Sequence, residues 1–387
     1  MKILILAPHP FYQERGTPIA VDLLIRALSE RGDSVDLLTY QEGVDREYDR
    51  LRIHRIKPVP AVSNLRPGFS AKKLYSDVFM FFRFVSMMWS GKYDVVHAVE
   101  ESAFMALLIC PLHSTPFVYD IDSSMTTQLV DKYFFLRPFR SALGFIESLP
   151  MRYAEAVVPM CDSLASEARR YRDKNILVLK DASLLGQTQD SEPVTNIRED
   201  LSLQRKVIMY IGNLEPYQGI KLLLESFRLA LKTDPDVSLV IIGGVENDIS
   251  EYRGIAERTG IGDQVHFLGP RPVARIGQYM SQADVLVSPR TQGTNTPMKV
   301  YSYLDSGVAV LATRLPTHTQ VMDDDIAMLA APEKEVFSRA MVELLSNNEL
   351  RRRLADNAKE YVKREHSYAT FKERIHKLYA QLEKDGS

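Results

Sequence analysis

Residues 284–313 read DVLVSPRTQGTNTPMKVYSYLDSGVAVLAT and place two buried-strand patterns on either side of a polar loop and a helix. The runs DVLVS and VAVLAT are rich in β-branched residues, and Pro297 is predicted to open the helix between them. The side chains of Thr294, Asn295 and Thr296 then fall where oxygen atoms cap a helix whose free amides point outward. The stretch predicts a strand, loop, helix and strand of one parallel sheet.

Lys299 lies in the first turn of that predicted helix, where a cation opposes the helix dipole. An anionic ligand accounts for Lys299 better than helix stability does, and a solvated lysine is the alternative. Upstream, YIGNLEPYQGIKLLLESF places Gly212 and Gly219 around a short polar loop between a strand and a helix. Because ligands bind beyond the carboxyl ends of parallel strands, we expect both loops to contribute to a binding site.

The loop after the first predicted strand has the same character. Its sequence HPFYQERGTPIAV places Gly16 and Thr17 before Pro18 at a predicted helix start, which is a natural phosphate site. That Gly16 only permits the turn is an equally open interpretation, although Arg15 favours anion binding.

Short β-branched runs alternate with helical segments along the whole chain. The predicted strands are KILILAP, SVDLLTY, RIHRI, DVVHA, FVYDI, AVVPM and ILVLK, followed by KVIMYIG, SLVIIGG, VHFLG, DVLVSP and VAVLAT. This alternation predicts an α/β protein with two Rossmann-like parallel-sheet domains facing a cleft. We expect domains at residues 1–186 and 205–366, joined by the polar linker 187–204. The helix-forming stretch 348–384 has no partner strand, so we expect it to pack against a domain that other segments of the chain form.

Composition limits the classes of function. The chain has 387 residues, and 48 Lys and Arg against 50 Asp and Glu residues give a net charge of −2. A chain of this length exceeds the size that a single hydrophobic core usually reaches, so two domains are expected. The net charge gives no support for nucleic-acid binding. Cys110 and Cys161 lie in apolar surroundings without further ligands nearby, so we expect reduced core thiols. The N-terminal apolar run ends in Pro without a cleavage site, which predicts a cytoplasmic protein.

Common cofactor and metal motifs are absent from the sequence. There is no GxxxxGK[ST] loop, and GIGDQV lacks the third glycine of GxGxxG, which argues against ATP and nicotinamide cofactors. HExxH is absent and no two histidines have metal-ligand spacing, so no metal site is predicted.

The sequence resembles the retaining glycosyltransferases of family 4, which have the two-domain GT-B fold. The resemblance rests on the order and spacing of RGTPIAVDLLIRALSERGDSVDLLTY, YDVVHA, EAVVPMCDSL, the block that starts YIGNL, VHFLG, and residues 283–313. It implies that the C-terminal domain binds a nucleotide diphosphate sugar as co-substrate and the N-terminal domain binds the acceptor. It also implies that no metal or other cofactor is needed and that the final helix, residues 367–387, completes the N-terminal domain.

The donor site departs from the family pattern at five positions. Asn213 and Gln218 align with the Arg and Lys that contact the donor diphosphate, and Thr294 and Ser302 align with two glutamates on the donor sugar and ribose. Asp122 aligns with a histidine near the reaction centre. The site has either been rebuilt or has lost its donor.

We favour a rebuilt site because the loop TQGTNTPMK is rich in hydrogen-bonding groups. Arg15, Arg290 and Lys299 would supply charge, helix amides would bind phosphate oxygens, and Asp122 would supply a carboxylate near the transferring sugar. The implied activity is retaining transfer of a sugar to an acceptor hydroxyl, in cell-envelope polysaccharide or glycolipid synthesis. The alternatives are a sugar-nucleotide epimerase of the same fold and a non-catalytic relative.

Acidic side chains follow the predicted strands of the N-terminal domain. Asp120, Asp122, His97, Glu100 and Glu101 belong to the ends of those strands, where side chains face the expected cleft. We expect Asp120 and Asp122 to act in catalysis and the other three to meet a carbohydrate or lipid-linked acceptor. For Glu100 and Glu101, the alternative is that they only mark the N-terminus of a helix, where acidic residues are common.

A basic segment raises the question of membrane contact. Arg50–Lys92 carries nine Lys or Arg residues against Asp77 and also contains VFMFFRFVSMMW. We predict that Arg66, Lys72 and Lys73 help dock the N-terminal domain on anionic lipid. The alternative is that the apolar run is one helix packed on its sheet.

Overall fold

The chain forms two compact units. The first contains Met1–Lys180 and Phe371–Ser387, and the second contains Asp181–Thr370. The structure is a computed structural model that describes residues 1–58, 65, 70–186, 196–203, 206–293 and 295–385.

The first unit is built on a six-stranded parallel sheet. Its strands are β1 (Lys2–Ala7), β2 (Ser34–Thr39), β3 (Leu51–Arg55), β4 (Val95–Val99), β5 (Phe117–Ile121) and β6 (Ala156–Pro159), in the order β3-β2-β1-β4-β5-β6. Its helices are α1 (Gly16–Arg31), α2 (Ala71–Ser90), α3 (Ser102–Ile109), α4 (Met125–Lys132), α5 (Arg140–Tyr153) and α6 (Asp162–Ala168). Residues 3–7 of β1 are fully buried, because a central parallel strand is covered on both faces.

The second unit repeats this topology. Its strands are β7 (Lys206–Ile211), β8 (Val237–Ile242), β9 (Val265–Gly269), β10 (Val285–Ser288), β11 (Ala309–Thr313) and β12 (Met328–Ala330), in the order β12-β11-β10-β7-β8-β9. Its helices are α7 (Ile197–Asp200), α8 (Ile220–Ala230), α9 (Glu246–Arg258), α10 (Ile276–Met280), α11 (Lys299–Asp305), α12 (Pro316–Thr319), α13 (Lys334–Ser346) and α14 (Asn348–Glu365).

The strand order has the same consequence in both units. The chain reverses its direction of travel through the sheet between β1 and β4, and again between β7 and β10. Open α/β sheets bind ligands at such switch points, beyond the carboxyl ends of the strands. The two sheets confirm the predicted class of two Rossmann-like domains, and their switch points give one candidate site in each unit.

The last helix, α15 (Tyr368–Asp385), packs on the first unit. His376 Nε2 lies 2.8 Å from the carbonyl oxygen of Ala27 in α1, and the Arg31 guanidinium lies 3.1 Å from the Glu383 carboxylate. The first unit is therefore assembled from two separated stretches of the chain.

Some boundaries differ from the sequence-based expectation. The segment ILVLK forms no strand beyond a single bridge from Ile176 to Val157, although Leu177 and Leu179 donate to carbonyl groups of β6. The second unit begins at Asp181, six residues earlier than the predicted linker. The linker residues 187–195, 204 and 205 lie outside the described residues, and the remainder contains α7 within the second unit.

Candidate functional site

The pairing of β4 with β5 brings the predicted acidic residues of the first unit together. Val99 is the register partner of Asp120, and the amide of Glu100 donates to the Asp120 carbonyl at 2.9 Å. Glu100 therefore follows β4 beside the end of β5, where Asp122 also lies. The sheet places these carboxyl groups at the switch point of the first unit. We call Glu100, Glu101, Asp120 and Asp122 the acidic cluster.

The pKa values of Glu100 and Asp122 are both raised. Burial, followed by the charges of Asp122 and Glu101, raises the pKa of Glu100 well above its ordinary value. Burial and the neighbouring Asp120 raise the pKa of Asp122 to about 7, against a smaller opposing effect of a hydrogen bond from Thr17. Groups with pKa values near neutrality can accept or donate a proton at physiological pH.

Thr17 and Gly16 lie at the start of α1, as predicted. The hydrogen bond of Thr17 to Asp122 directs this helix start toward a carboxyl group of the protein itself. Gly16 has no positive φ, and a Cβ atom placed on it would meet no atom within 4 Å. Neither the turn nor the packing in this unit requires a glycine there. Arg15 is exposed at the N-cap and reaches the carbonyl of Leu65 at 3.5 Å.

His97 is buried at the back of the acidic cluster. Its Nε2 lies 3.2 Å from Asp120 Oδ2, and its Nδ1 lies 2.8 Å from the Tyr379 hydroxyl. Because His97 has no exposed surface, it orients Asp120 and does not offer a free face to an acceptor. It thus positions a neighbour and is not itself an acceptor ligand.

Three residues beside the acidic cluster were not identified from the sequence. Lys73 on α2 places its ammonium 2.5 Å from the Glu101 carboxylate, and Tyr40 donates to Asp77 at 2.5 Å. Burial and the charge of Glu101 raise the pKa of Asp77 to about 7. The ion pair holds Lys73 beside the acidic cluster, which does not support the membrane-docking role predicted for it.

His9 adds a neutral imidazole at the end of β1. Burial lowers its pKa to about 4, and its Nδ1 lies 3.2 Å from the carbonyl of Pro10. Its Nε2 is buried without a hydrogen-bond partner among the described residues. The lowered pKa of His9 could not be predicted from the sequence, because it depends on how deeply the side chain is buried.

Lys299 lies at the switch point of the second unit. Its ammonium is 3.9 Å from the centre of the Tyr210 ring, 3.2 Å from Gln218 Oε1, and beside Gly212, where a Cβ atom would lie 3.0 Å from Nζ. Burial, with a smaller effect of Arg290, lowers the pKa of Lys299 well below its ordinary value. No carboxylate forms an ion pair with it among the described residues.

Arg290 is committed to its own loop. Its guanidinium donates to the carbonyl of Gln292 at 2.8 Å and to the carbonyl and side-chain oxygens of Asn295 at 3.1 Å. Thr317 also donates to the Asn295 carbonyl, at 2.7 Å. Arg290 and Asn295 therefore shape the loop, while the Lys299 ammonium lies beside Gly212.

The helix after β10 starts later than predicted. The helix α11 begins at Lys299, two residues after Pro297, and among the described residues no side chain caps it. The amide of Val300 bonds to the Pro297 carbonyl at 3.0 Å, so a tighter turn opens the helix. The Thr296 hydroxyl is buried without a partner among the described residues, and Thr294 lies outside them.

Of the remaining residues predicted to bind the donor, Gly219 and Ser302 make contacts within the second unit and Asn213 is exposed. Gly219 has φ +76°, and a Cβ atom there would lie 2.0 Å from the Pro289 carbonyl oxygen, so only glycine lets α8 start this close to β10. Ser302 accepts a hydrogen bond from the amide of Leu184 at 3.1 Å. Asn213 is exposed after β7.

Two further observations concern metals and membranes. Among the described residues, no group of three or more His, Cys, Asp and Glu side chains is arranged to hold a metal ion. In the same part of the chain, none of the helices combines the length and the apolar character needed to cross a bilayer.

Curated relatives of the chain are glycosyltransferases. D-inositol 3-phosphate glycosyltransferase of Corynebacterium glutamicum is 27% identical over 188 residues, which cover 46% of this chain and 44% of the relative. Phosphatidyl-myo-inositol mannosyltransferase of Mycobacterium tuberculosis is 24% identical over 310 residues, which cover 77% of this chain and 76% of the relative.

A solved structure shares the fold along the whole chain. Sucrose-phosphate synthase from Thermosynechococcus elongatus superposes with a TM-score of 0.82 at 19% identity, covering 99% of both chains. At this identity the likeness concerns the fold alone.

Two family profiles match the chain, one over each unit. The profile described as "Glycosyl transferase 4-like domain" matches residues 15–179, and "Glycosyl transferases group 1" matches residues 194–361. With both halves matched and the GT-B fold in place, the chain belongs to the group 1 glycosyltransferases of the family 4 type.

Proposed function

We propose that the protein transfers a sugar, with retention, from a nucleotide diphosphate sugar to a hydroxyl group of a lipid-linked acceptor at the cytoplasmic membrane face. The donor diphosphate binds beside Lys299 in the second unit, and the acceptor hydroxyl meets the acidic cluster of the first unit. The named relatives act in inositol phosphate and phosphatidylinositol glycosylation, which supports an acceptor of the polyol or glycolipid class.

The amine of Lys299 carries this proposal. It is partly enclosed without a carboxylate partner among the described residues, and burial lowers its pKa, so an anion beside it would restore the ammonium. It lies at the end of β7 next to Gly212, where a Cβ atom would lie 3.0 Å from Lys299 Nζ and 3.0 Å from the Tyr210 hydroxyl, so the glycine makes room for the lysine. A diphosphate there would gain one charge-assisted contact from Lys299 and hydrogen bonds from nearby amides.

Catalysis then rests on charge and position. Lys299 stabilises the negative charge that develops on the diphosphate as the bond to the anomeric carbon breaks. In the first unit, Asp122 and Glu100 accept hydrogen bonds from the acceptor hydroxyl when they are ionised, and Asp122 loses its proton as the pH rises through about 7. Asp120, fixed by His97, maintains the raised pKa of Asp122.

Nucleotide binding tests the donor site. Uridine, guanosine and adenosine diphosphates would be added separately to the protein, to Lys299→Ala and to Lys221→Ala, whose lysine is exposed on α8. A nucleotide at a hundred times its dissociation constant adds about 2.7 kcal/mol to the free energy of unfolding. We expect one diphosphate to stabilise the parent and Lys221→Ala, and to stabilise Lys299→Ala much less. Equal stabilisation of all three proteins, or of none, contradicts the assignment.

Turnover separates transfer from epimerisation. The matching nucleotide sugar would be incubated with the protein alone and with a phosphoinositide acceptor, and the products followed by NMR. A transferase forms a glycolipid whose anomeric configuration matches the donor, whereas an epimerase changes the donor sugar without any acceptor. Inversion at the anomeric carbon contradicts the retaining mechanism.

A further inference from the structure

The first unit exposes a broad apolar surface on adjacent helices. Helix α3 packs against both α2 and α5, and the Trp89 ring at the end of α2 lies 4.4 Å from the His113 ring just after α3. Large apolar side chains that are between 45% and 73% exposed lie on these helices and their connections: Leu74, Tyr75, Val78, Phe82, Trp89, Leu108, Leu112, Phe134, Phe135, Phe139, Phe145, Ile146 and Tyr153. We call this set the aromatic surface.

The clustering sets these residues apart from ordinary exposed apolar side chains. Elsewhere in the described part of the chain, the exposed large apolar residues are Val44 and Val245. Single exposed apolar residues are common and need no explanation, but a contiguous apolar patch marks an interaction site. The sequence-based alternative, that the run in α2 only packs on its sheet, holds for Met80, Phe84 and Met87, and the other face of α2 stays uncovered.

The exposed charges on the same segments are of one sign. Exposed cations accompany the aromatic surface on α2 and on residues 133–153: Lys72, Arg83, Arg137, Arg140 and Arg152. The two acids of these segments are turned inward. Asp77 is hydrogen-bonded to Tyr40, and the buried Glu147 accepts from the amides of Met125 and Thr126.

The cations lie against the aromatic rings. The Arg137 guanidinium is 5.3 Å from the centre of the Phe134 ring, and that of Arg152 is 5.7 Å from the centre of the Phe145 ring. At a membrane interface, aromatic rings lie at the level of the headgroups and arginine side chains reach the lipid phosphates. A surface of this composition fits an anionic bilayer, whose interface takes up the aromatic rings and whose phosphates pair with the cations, better than an apolar protein surface, whose contact would leave the cations without counter-charge.

We infer that the aromatic surface docks the first unit on anionic lipid, with Phe134, Phe135 and Phe139 entering the interface and Arg137 and Arg140 contacting lipid phosphates. This deepens the proposed function, because a lipid-linked acceptor must be reached in its bilayer. Since vesicle binding is measured without donor or acceptor, docking and sugar transfer can fail independently.

Cosedimentation with vesicles tests the inference. The probes are phosphatidylcholine vesicles with and without phosphatidylglycerol, each at low and at high salt. Two double variants address the surface, Phe134→Ser with Phe135→Ser, and Arg137→Gln with Arg140→Gln. Their matched controls are Val245→Ser, an exposed apolar residue in the second unit, and Arg352→Gln with Arg353→Gln, exposed on α14.

We expect the parent to bind vesicles that contain phosphatidylglycerol and to release at high salt, where charges are screened. The arginine pair should weaken the partition coefficient by about thirtyfold, since each basic residue near an anionic surface contributes about 1 kcal/mol. The phenylalanine pair should also weaken binding severalfold, and the controls should bind like the parent. Circular dichroism and the unfolding midpoint should be unchanged, because the altered side chains are exposed.

Two results overturn the inference. One is equal sedimentation of the parent and both surface variants. The other is a parent that ignores the vesicles but forms dimers by light scattering, with Phe134→Ser and Phe135→Ser restoring the monomer. The second result would assign the aromatic surface to contact between copies of this chain.

Discussion

The hydroxyl of Tyr379, in the last helix, lies 2.8 Å from Nδ1 of His97 in β4. Burial raises the pKa of Tyr379 well above its ordinary value, so its hydroxyl keeps its proton. In the tautomer that carries the imidazole proton on Nε2, His97 Nδ1 accepts a hydrogen bond from that hydroxyl. The imidazole then directs its Nε2 proton toward Asp120. One buried chain of hydrogen bonds thus joins α15 to the acidic cluster.

Replacing Tyr379 with Phe should lower the free energy of unfolding by about 1 kcal/mol, because a buried hydrogen bond is lost and His97 keeps an unpaired nitrogen. Urea denaturation measures the change. Tyr153→Phe is the matched control, since its hydroxyl belongs to an exposed ring, and should differ by less than about 0.5 kcal/mol. An unfolding free energy for Tyr379→Phe that equals the parent would mean that the hydrogen bond contributes nothing.

The raised pKa of Asp122 makes stability depend on pH. The folded protein keeps a proton on Asp122 up to about pH 7, whereas the unfolded chain loses it near 3.8. The folded state therefore binds more protons in this window, and the free energy of unfolding falls as pH rises from about 4 to about 7.

The variant Asp122→Asn should flatten this decline, and Asp77→Asn should flatten it in part, since the pKa of Asp77 is also about 7. Denaturant titrations at several pH values across the window measure the slope. The exposed Asp263→Asn should keep the slope of the parent. A slope for Asp122→Asn as steep as that of the parent would show that Asp122 is ionised throughout.

Donor binding should change the protonation of Lys299. Its pKa is lowered in the free protein by burial and by Arg290, and an adjacent diphosphate would raise it again. Binding of the nucleotide diphosphate should therefore take up protons at pH values between the lowered pKa of the free protein and the higher pKa of the complex. Calorimetry in two buffers of different ionisation enthalpy detects the uptake, which should vanish in Lys299→Met. Heats of binding that do not depend on the buffer would argue against contact between Lys299 and the diphosphate.

Gly219→Ala should destabilise the second unit strongly. Its φ of +76° costs an alanine about 1–2 kcal/mol, and the contact of a Cβ atom with the Pro289 carbonyl adds roughly 1–3 kcal/mol. Gly260 has φ +74° but open space around it, so Gly260→Ala isolates the backbone contribution. Urea denaturation of the two variants should show the larger loss for Gly219→Ala. Equal losses would mean that β10 moves aside without cost.

Strand identity in this chain could be predicted from local composition, and the site could be predicted only in outline. Apart from Lys2 and Ser238, KILILA and VSLVII are apolar, as strands covered on both faces must be, whereas ILVLK is similar in composition and forms only a single bridge. The position of the carboxyl groups at the ends of β4 and β5 could be predicted, because side chains that follow parallel strands meet at one edge of the sheet. Their pKa values could not be predicted, because those depend on how deeply each group is buried.

The contacts that sequence reasoning missed join distant residues. Lys73 reaches Glu101 because α2 packs against α3, which begins directly after Glu101, and no spacing along the chain indicates it. Arg290 had the charge expected of a phosphate ligand, but its guanidinium turns back onto the carbonyl of Asn295, five residues away. Direction of a side chain is a property of packing, and residue type alone does not determine it.

The crossing of α15 back to the first unit determines the order in which the chain can be finished as it is synthesised. The second unit is continuous from Asp181 to Thr370, whereas the first still needs residues from Phe371 onward. At 5–20 residues per second, a ribosome needs about 10–40 s to pass from residue 180 to the end of the sequence. For that interval His97 lacks Tyr379, and Arg31 lacks Glu383. The unit that is translated first is therefore the last to be completed, and a chain that stops before α15 leaves it unfinished.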